Sequence, residues 1–368
     1  MGSGHGWVLG SALRASRAFA RAQDDGVCAG PRTTDRLRAQ DDRGSHGSRL
    51  RRPPAAPCED APVSYPVDEL LTLLDLERRP GDVFIGASRQ VGYTRIFGGQ
   101  VAAQALVAAG RTVDSDRFVH SLHAYFLRPG DPAAPVEFRV ERMRDGRGFS
   151  VRRALAHQHG QVTFAMSASF HVPESPQIAH TTIAPAVPAP EELPSIEYLL
   201  GPQREALPPI MRDVMVPVDV RPVRGFGEHL VHWFGDTLLD HPSRQGGGDY
   251  PGEDVLWFRA NGPMPEDPLL HVCVATYFSD ATLIDAVARR HGPTHQMKVA
   301  SLDHAMWFHR PFRADEWTLY LAQSPVANGG LGFARGRMFD TSGELLISIT
   351  QEGLFRKATP PGAPLTPA

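Results

Sequence analysis

The dipeptide Ser279-Asp280, at the end of an apolar run, is the first place where this chain of 368 residues can do chemistry. Serine and aspartate are favoured where a helix begins, because their side chains accept from its unpaired first amides. Read locally, Asp280 is a helix N-cap; in a dry pocket the same carboxylate can hold or deprotonate a water. Gln351 sits in a strand-like run, where one polar residue on a face is ordinary. Its amide can nevertheless both donate to and accept from a single water, which an ionised glutamate cannot do. Ser301, Asp303 and His304 imitate a serine triad in miniature. Alternation along a strand puts Ser301 and Asp303 on one face and His304 on the other, so no relay among them is expected and His304 reads as a core histidine.

Other reaction classes lack their signatures. There is no G-x-S-x-G elbow of the kind an α/β-hydrolase uses to expose its serine. No H-E-x-x-H is present, and Gly292-Pro293 between His291 and His295 forbids a continuous helix joining them. No metal site and no cofactor are therefore expected. The only lysines, Lys298 and Lys357, lack the context of a phosphate-binding loop. Gly330, Gly332 and Gly336 imitate a dinucleotide fingerprint but run into a strand, which suits a turn or bulge. Cys28, Cys58 and Cys273 are odd in number and far apart, which argues against a disulfide framework and for a reducing compartment, taken to be the cytoplasm. With 38 basic and 41 acidic residues the net charge is −3, so no basic field for nucleic acid or an anionic membrane is expected. No run of about 18 uninterrupted apolar residues offers a spanning helix.

The elements that must position these residues come in a repeated order. Residues 1–62 hold ten arginines, seven acids and almost no apolar periodicity, and read as a disordered or mis-assigned N-terminal extension. From Pro66 a short helix over residues 68–74 is expected, then extended chain over 83–97, then a helix opened by Gly98-Gly99-Gln100 and running to Thr112. Strands are expected at 117–128, 135–144, 148–157 and 161–172. Residues 173–222 carry 11 of the 33 prolines and read as a surface linker. The order then returns: a strand at 253–261, a helix from Asp280 to Arg290, and strands at about 298–310, 315–324, 331–340 and 344–356. Tyr125-Phe126-Leu127-Arg128-Pro129 matches Trp307-Phe308-His309-Arg310-Pro311 at an offset of 182. A helix followed by an antiparallel meander, twice over, is an α+β architecture. The expected domains are 63–172, a linker at 173–222, a second repeat at 223–358 and a tail at 359–368.

Five segments in order carry a resemblance: Phe97-Gly98-Gly99-Gln100, the run from His120 to Gly130, Tyr277-Phe278-Ser279-Asp280, the run from Ser301 to Pro311, and Gln351-Glu352-Gly353. Over about four-fifths of its length the chain resembles the type II acyl-CoA thioesterases, a double hot-dog family. The resemblance implies a water held by Asp280, Ser301 and Gln351, attacking the thioester of a fatty acyl-CoA to leave a free fatty acid and CoA. Many relatives have threonine at the Ser301 position; serine keeps the hydroxyl. The counterparts of Asp280 and Gln351 at offsets of 182 and 183 are Gly98 and Ala168, so one active centre is expected, in the second half. Arg128 and Arg310, at equivalent positions, are either phosphate contacts or ordinary strand-end arginines. Also implied is a homo-oligomer, a dimer or higher of double units. The alternatives are a hot-dog enoyl-CoA hydratase or dehydratase, for which no histidine follows Asp280 at the needed spacing, and a non-catalytic acyl-CoA-binding protein, which gains nothing from a buried aspartate.

Overall fold

Strand-period alternation dominates the chain, and in a computed structural model it builds one continuous sheet. The structure describes residues 64–89, 94–206, 209–224, 252–288, 290–291 and 297–357. The expected extension at 1–62, the tail at 359–368 and the stretch from Gly292 to His295 lie outside them. The strands are β1 (Glu77–Arg79), β2 (Val83–Gly86), β3 (Phe118–Phe126), β4 (Val136–Asp145), β5 (Phe149–Gln158), β6 (Gln161–His171), β7 (Val218–Arg224), β8 (Glu253–Ala260), β9 (Met297–Ser301), β10 (Asp303–Phe308), β11 (Thr318–Asn328), β12 (Leu331–Phe339) and β13 (Leu345–Lys357). Their order is β1-β2-β4-β5-β6-β3-β10-β13-β12-β11-β8-β7, with β9 on β13, and every pairing is antiparallel.

The middle of that order is the seam between the repeats. There β3 of the first half pairs with β10 of the second, Ala124 opposite His304 and Leu122 opposite Met306. Each half lays its sheet against one long helix: the first central helix, Gly98–Gly110, and the second, Pro268–Thr282. This is the α+β double hot-dog that the resemblance implies. Inward-facing Phe138, Ala154, Ala156, Phe164, Met166, Met306, Met338 and Ile349 are all buried against these helices. Gln104 ties the first helix to the preceding segment, its Nε2 donating to the Leu73 and Ala87 carbonyls, both at 2.8 Å.

Three expectations change. The second central helix starts at an Asp267 N-cap with Pro268 in its first turn, not at Asp280. It is buried on nearly every side, so its sequence lacks the 3.6-residue rhythm that marks an amphipathic helix, and only its cap betrays the start. This helix together with the short turn of helix that follows it, Pro268–Ala288, has the length and apolarity of a membrane span, but it is largely buried in the core here. The proline-rich stretch is also more than a surface linker. Ile196, Leu200 and Val214 are buried in the main core, and β7 joins the sheet edge. Of the extended chain expected over 83–97, only Val83–Gly86 is strand among the described residues. Of the glycines read as a turn or bulge, Gly330 is in a turn: with Gly329, both at positive φ, it closes the hairpin between Asn328 and Leu331, whereas Gly332 and Gly336 lie within β12.

Candidate active site

Asp280 lies in the last turn of the second central helix, where the negative end of the helix dipole works against its charge. Facing it is the start of the other helix. The two central helices run antiparallel and close: a Cβ on Gly99 would fall on the Tyr277 carbonyl oxygen, and one on Gly110 would meet Leu269. The amides of Gly98 and Gly99 stand ahead of the first intrahelical bonds, and the Gly99 N–H bonds the Asp280 carboxylate. A Cβ at Gly98 would lie 2.5 Å from Asp280 Oδ2. The helix start expected at Asp280 is thus supplied by the first half.

Ser301 and Gln351 reach the same carboxylate from the sheet. Gln351 Nε2 donates to Asp280 Oδ1 at 2.5 Å and to Ser301 Oγ at 3.0 Å, while Ser301 Oγ donates to Asp280 Oδ1 at 3.4 Å. Burial pushes the Asp280 pKa up to about 6, opposed by the Gln351 amide, the Gly99 N–H, the Ser301 hydroxyl and the charge of Arg95. A carboxylate with that value can accept a proton near neutral pH. Asp285, beside the same cavity, is pushed up to about 7 by loss of hydration and by the charges of Asp254 and Asp280.

The alternation expected for residues 301–304 fails. Ser301 pairs with Gly353 and Ala305 with Thr350, so one extra residue is fitted between the two pairs. Such a bulge reverses the facing of the residues beyond it. Ser301 and His304 consequently both meet the helix, at Asp280 and at Ser279, while Asp303 turns away and accepts from the Glu352 amide at 2.7 Å. His304 is a core histidine as expected, and burial lowers its pKa to about 4, so it stays neutral.

A cavity of about 490 Å³ opens beside this cluster and is lined mainly by apolar side chains from both halves and the connecting stretch. Phe126 and Phe164 come from the first half, Ile284 and Leu302 from the second, and Leu200 and Met215 from the segment read as a linker. Arg95, Arg128, Arg204 and Arg212 stand on its wall. Arg128 donates to the Val162 carbonyl at 2.8 Å, whereas Arg310, its repeat counterpart, pairs with Glu344 at 3.1 Å away from the cavity. The sequence reading missed Gly98–Gly99 as a partner of Asp280, the wall residues of the connecting stretch, Arg95 and Asp285. The glycine pair was visible as a helix opening; the other three carry no local signal.

The arrangement explains why the cluster is not repeated. Near-twofold symmetry would put a second site where the first helix ends and the second begins. There Leu269 packs on Gly110, and Arg111 is paired with Asp267 at 2.7 Å. On β6, Ala168 occupies the place corresponding to Gln351. Among the described residues no group of histidine, cysteine or acidic side chains is placed to hold a metal ion.

Comparison with known proteins agrees on one chemistry. Residues 235–354 match a family model described as acyl-CoA thioesterase, and residues 87–171 one described as acyl-CoA thioesterase N-terminal domain. The chain is 39% identical over 296 residues to human acyl-coenzyme A thioesterase 8, covering 77% of this chain and 88% of that protein. It is 37% identical over 293 residues to acyl-CoA thioesterase 2 of Haemophilus influenzae, covering 79% and 98%. The crystal structure of acyl-CoA thioesterase II TesB2 from Mycobacterium marinum superposes with a TM-score of 0.62 at 40% identity, over 80% of this chain and all of that one.

Proposed function

The chain belongs to the type II acyl-CoA thioesterase family and hydrolyses acyl-CoA, and from that premise we propose that Asp280, Ser301 and Gln351 hold and activate the attacking water. The observation that carries this reading is their convergence: three side chains from one helix and two strands meet within hydrogen-bond distance of one another, and Asp280 and Ser301 front the cavity. Asp280, ionised, takes the water's proton as oxygen attacks the thioester carbonyl. The Gln351 amide and Ser301 hydroxyl orient the carboxylate and the water. The negative charge developing on the carbonyl oxygen meets the amides at the start of the first central helix, around Gly98, where the helix dipole is positive. Collapse expels the CoA thiolate and leaves the acid. The apolar wall takes the acyl chain, and Arg95 and Arg128 at the rim take the anionic end of CoA.

Because water attacks directly, no acyl group is ever attached to the protein. Intact-protein mass measured after rapid quenching during turnover is expected to stay unchanged; an acyl adduct on Asp280 or Ser301 would overturn the mechanism. The pH dependence follows from the base. Log kcat/KM is expected to rise with unit slope as pH increases towards about 6, where Asp280 ionises, and to flatten above it. A profile that falls through that range would mean an acid, not a base, at this position. The connecting stretch sets the cavity's depth: Met215→Trp is expected to shift the optimum to shorter acyl chains in a thiol-release series, with short-chain rates retained.

A further inference from the structure

Two buried polar atoms beside the cluster are left without a partner, and they belong to neighbouring side chains: His304 Nδ1 and Gln351 Oε1. The residues next to them, Ala305 and Thr350, are paired across β10 and β13, and both His304 and Gln351 point into the core with about 1% of their surface exposed. On its other side, His304 Nε2 stands 2.8 Å from Ser279 Oγ. We infer that His304 is a positioning residue: its Nδ1–H donates to Gln351 Oε1, its Nε2 accepts the Ser279 hydroxyl proton, and this tautomer fixes the amide that faces Asp280.

Valence dictates this assignment. Asp280 must be ionised to act as a base, and an ionised carboxylate only accepts. Its 2.5 Å neighbour on Gln351 is therefore the amide nitrogen, which puts Oε1 on the His304 side. Oε1 can only accept, so the ring nitrogen beside it must carry the proton. A neutral imidazole has one N–H, so Nε2 is then the acceptor and Ser279 the donor. Burial keeps the ring neutral and the Gln351 amide acts on it, consistent with that sharing. Ser279 has a competing acceptor, the Thr276 carbonyl at 2.9 Å. Were its proton to go there, His304 would have to donate through Nε2, and its bare Nδ1 would call the amide nitrogen away from Asp280. One hydroxyl proton thus decides which way Gln351 faces.

The inference rests on the water-holding role proposed for Gln351, and its test separates the two. In native protein with labelled histidine, ring-nitrogen NMR is expected to show one histidine, absent from His304 variants, with a protonated Nδ1 and bare Nε2 that does not titrate above about pH 5. An asparagine amide nitrogen falls where Nδ1 stands, and a glutamine amide nitrogen where Nε2 stands. His304→Asn is therefore expected to keep kcat within about tenfold, and His304→Gln to lose about a hundredfold with KM little changed. A protonated Nε2 in the native protein overturns the proposal, as does a His304→Gln enzyme at least as active as His304→Asn. Should neither variant fold, the ring that stays neutral down to about pH 5 identifies His304 in the native spectrum, and its tautomer decides alone. Were Asp280→Asn to keep full rate while the Nδ1–H form is found, the water-holding reading would fall and the tautomer would stand.

Discussion

Asp280→Asn is expected to cut thiol release from acyl-CoA by about a thousandfold while making the protein more stable above pH 6. The first effect follows from removing the base: an amide takes no proton from water at any accessible pH. The second follows from burial. In the folded chain the carboxyl ionises only near pH 6, against an ordinary value of 3.8. The folded state thus holds its proton more tightly than the unfolded state does. Stability falls as pH rises from about 4 to 6, and the full cost of the buried charge is present above that. At about 1.4 kcal/mol per pH unit this cost is about 3 kcal/mol, and asparagine removes it. About 1 kcal/mol returns, because the new Nδ2 faces the Gly99 N–H that the carboxylate accepted. The net gain of about 2 kcal/mol should raise the melting temperature by several degrees at pH 8 and reverse to a small loss by pH 4, where only the lost Gly99 hydrogen bond is left. Retained activity, or a gain independent of pH, would show that Asp280 is not a strained buried base.

The second large effect separates two adjacent glycines. Gly98→Ala is expected to leave the fold intact and lower kcat by about a hundredfold, because its Cβ would sit 2.5 Å from Asp280 Oδ2 and 2.9 Å from Phe126 and push both aside. Gly99→Ala is expected to cost about 3 kcal/mol of stability or more, because its Cβ falls on the Tyr277 main-chain oxygen, which cannot rotate out of the way. Gly110→Ala, at the far end of the same helix, meets only the end of the flexible Leu269 side chain and should be mild. Melting temperature and turnover measured together on the three variants check this. If Gly98→Ala and Gly99→Ala lose stability equally, the helix start is a packing feature and not part of the reaction site.

What the residues showed in advance depended on how each structure is held. The strands were legible because one face of each is buried, so β3 to β6 and β8 to β13 fall close to the expected runs. The second central helix was not, because burial on all sides erases its period and its Ser279-Asp280 imitates a cap. The error moved Asp280 from the end of a helix to its beginning, and so credited its own helix with the unpaired first amides that the other half provides. The side chains of the proposed site were named as a set through resemblance, and the structure brings the three together. The bulge at Leu302, which turns His304 towards Ser279, follows from a register that only the paired strands reveal.

The pairing of β3 with β10 has a consequence for how this enzyme behaves on dilution. A site shared between separate subunits is present only to the extent that they associate, so its activity per chain fades as concentration drops below their dissociation constant. Here both contributors, Gly98–Gly99 and Asp280, are tethered in one polypeptide, and each meets the other at an effective concentration set by the connecting stretch, of millimolar order even for a flexible tether. Specific activity at this centre should then be insensitive to dilution. Cutting the connecting stretch would restore the dependence, turning a first-order property of one molecule into a second-order encounter between two.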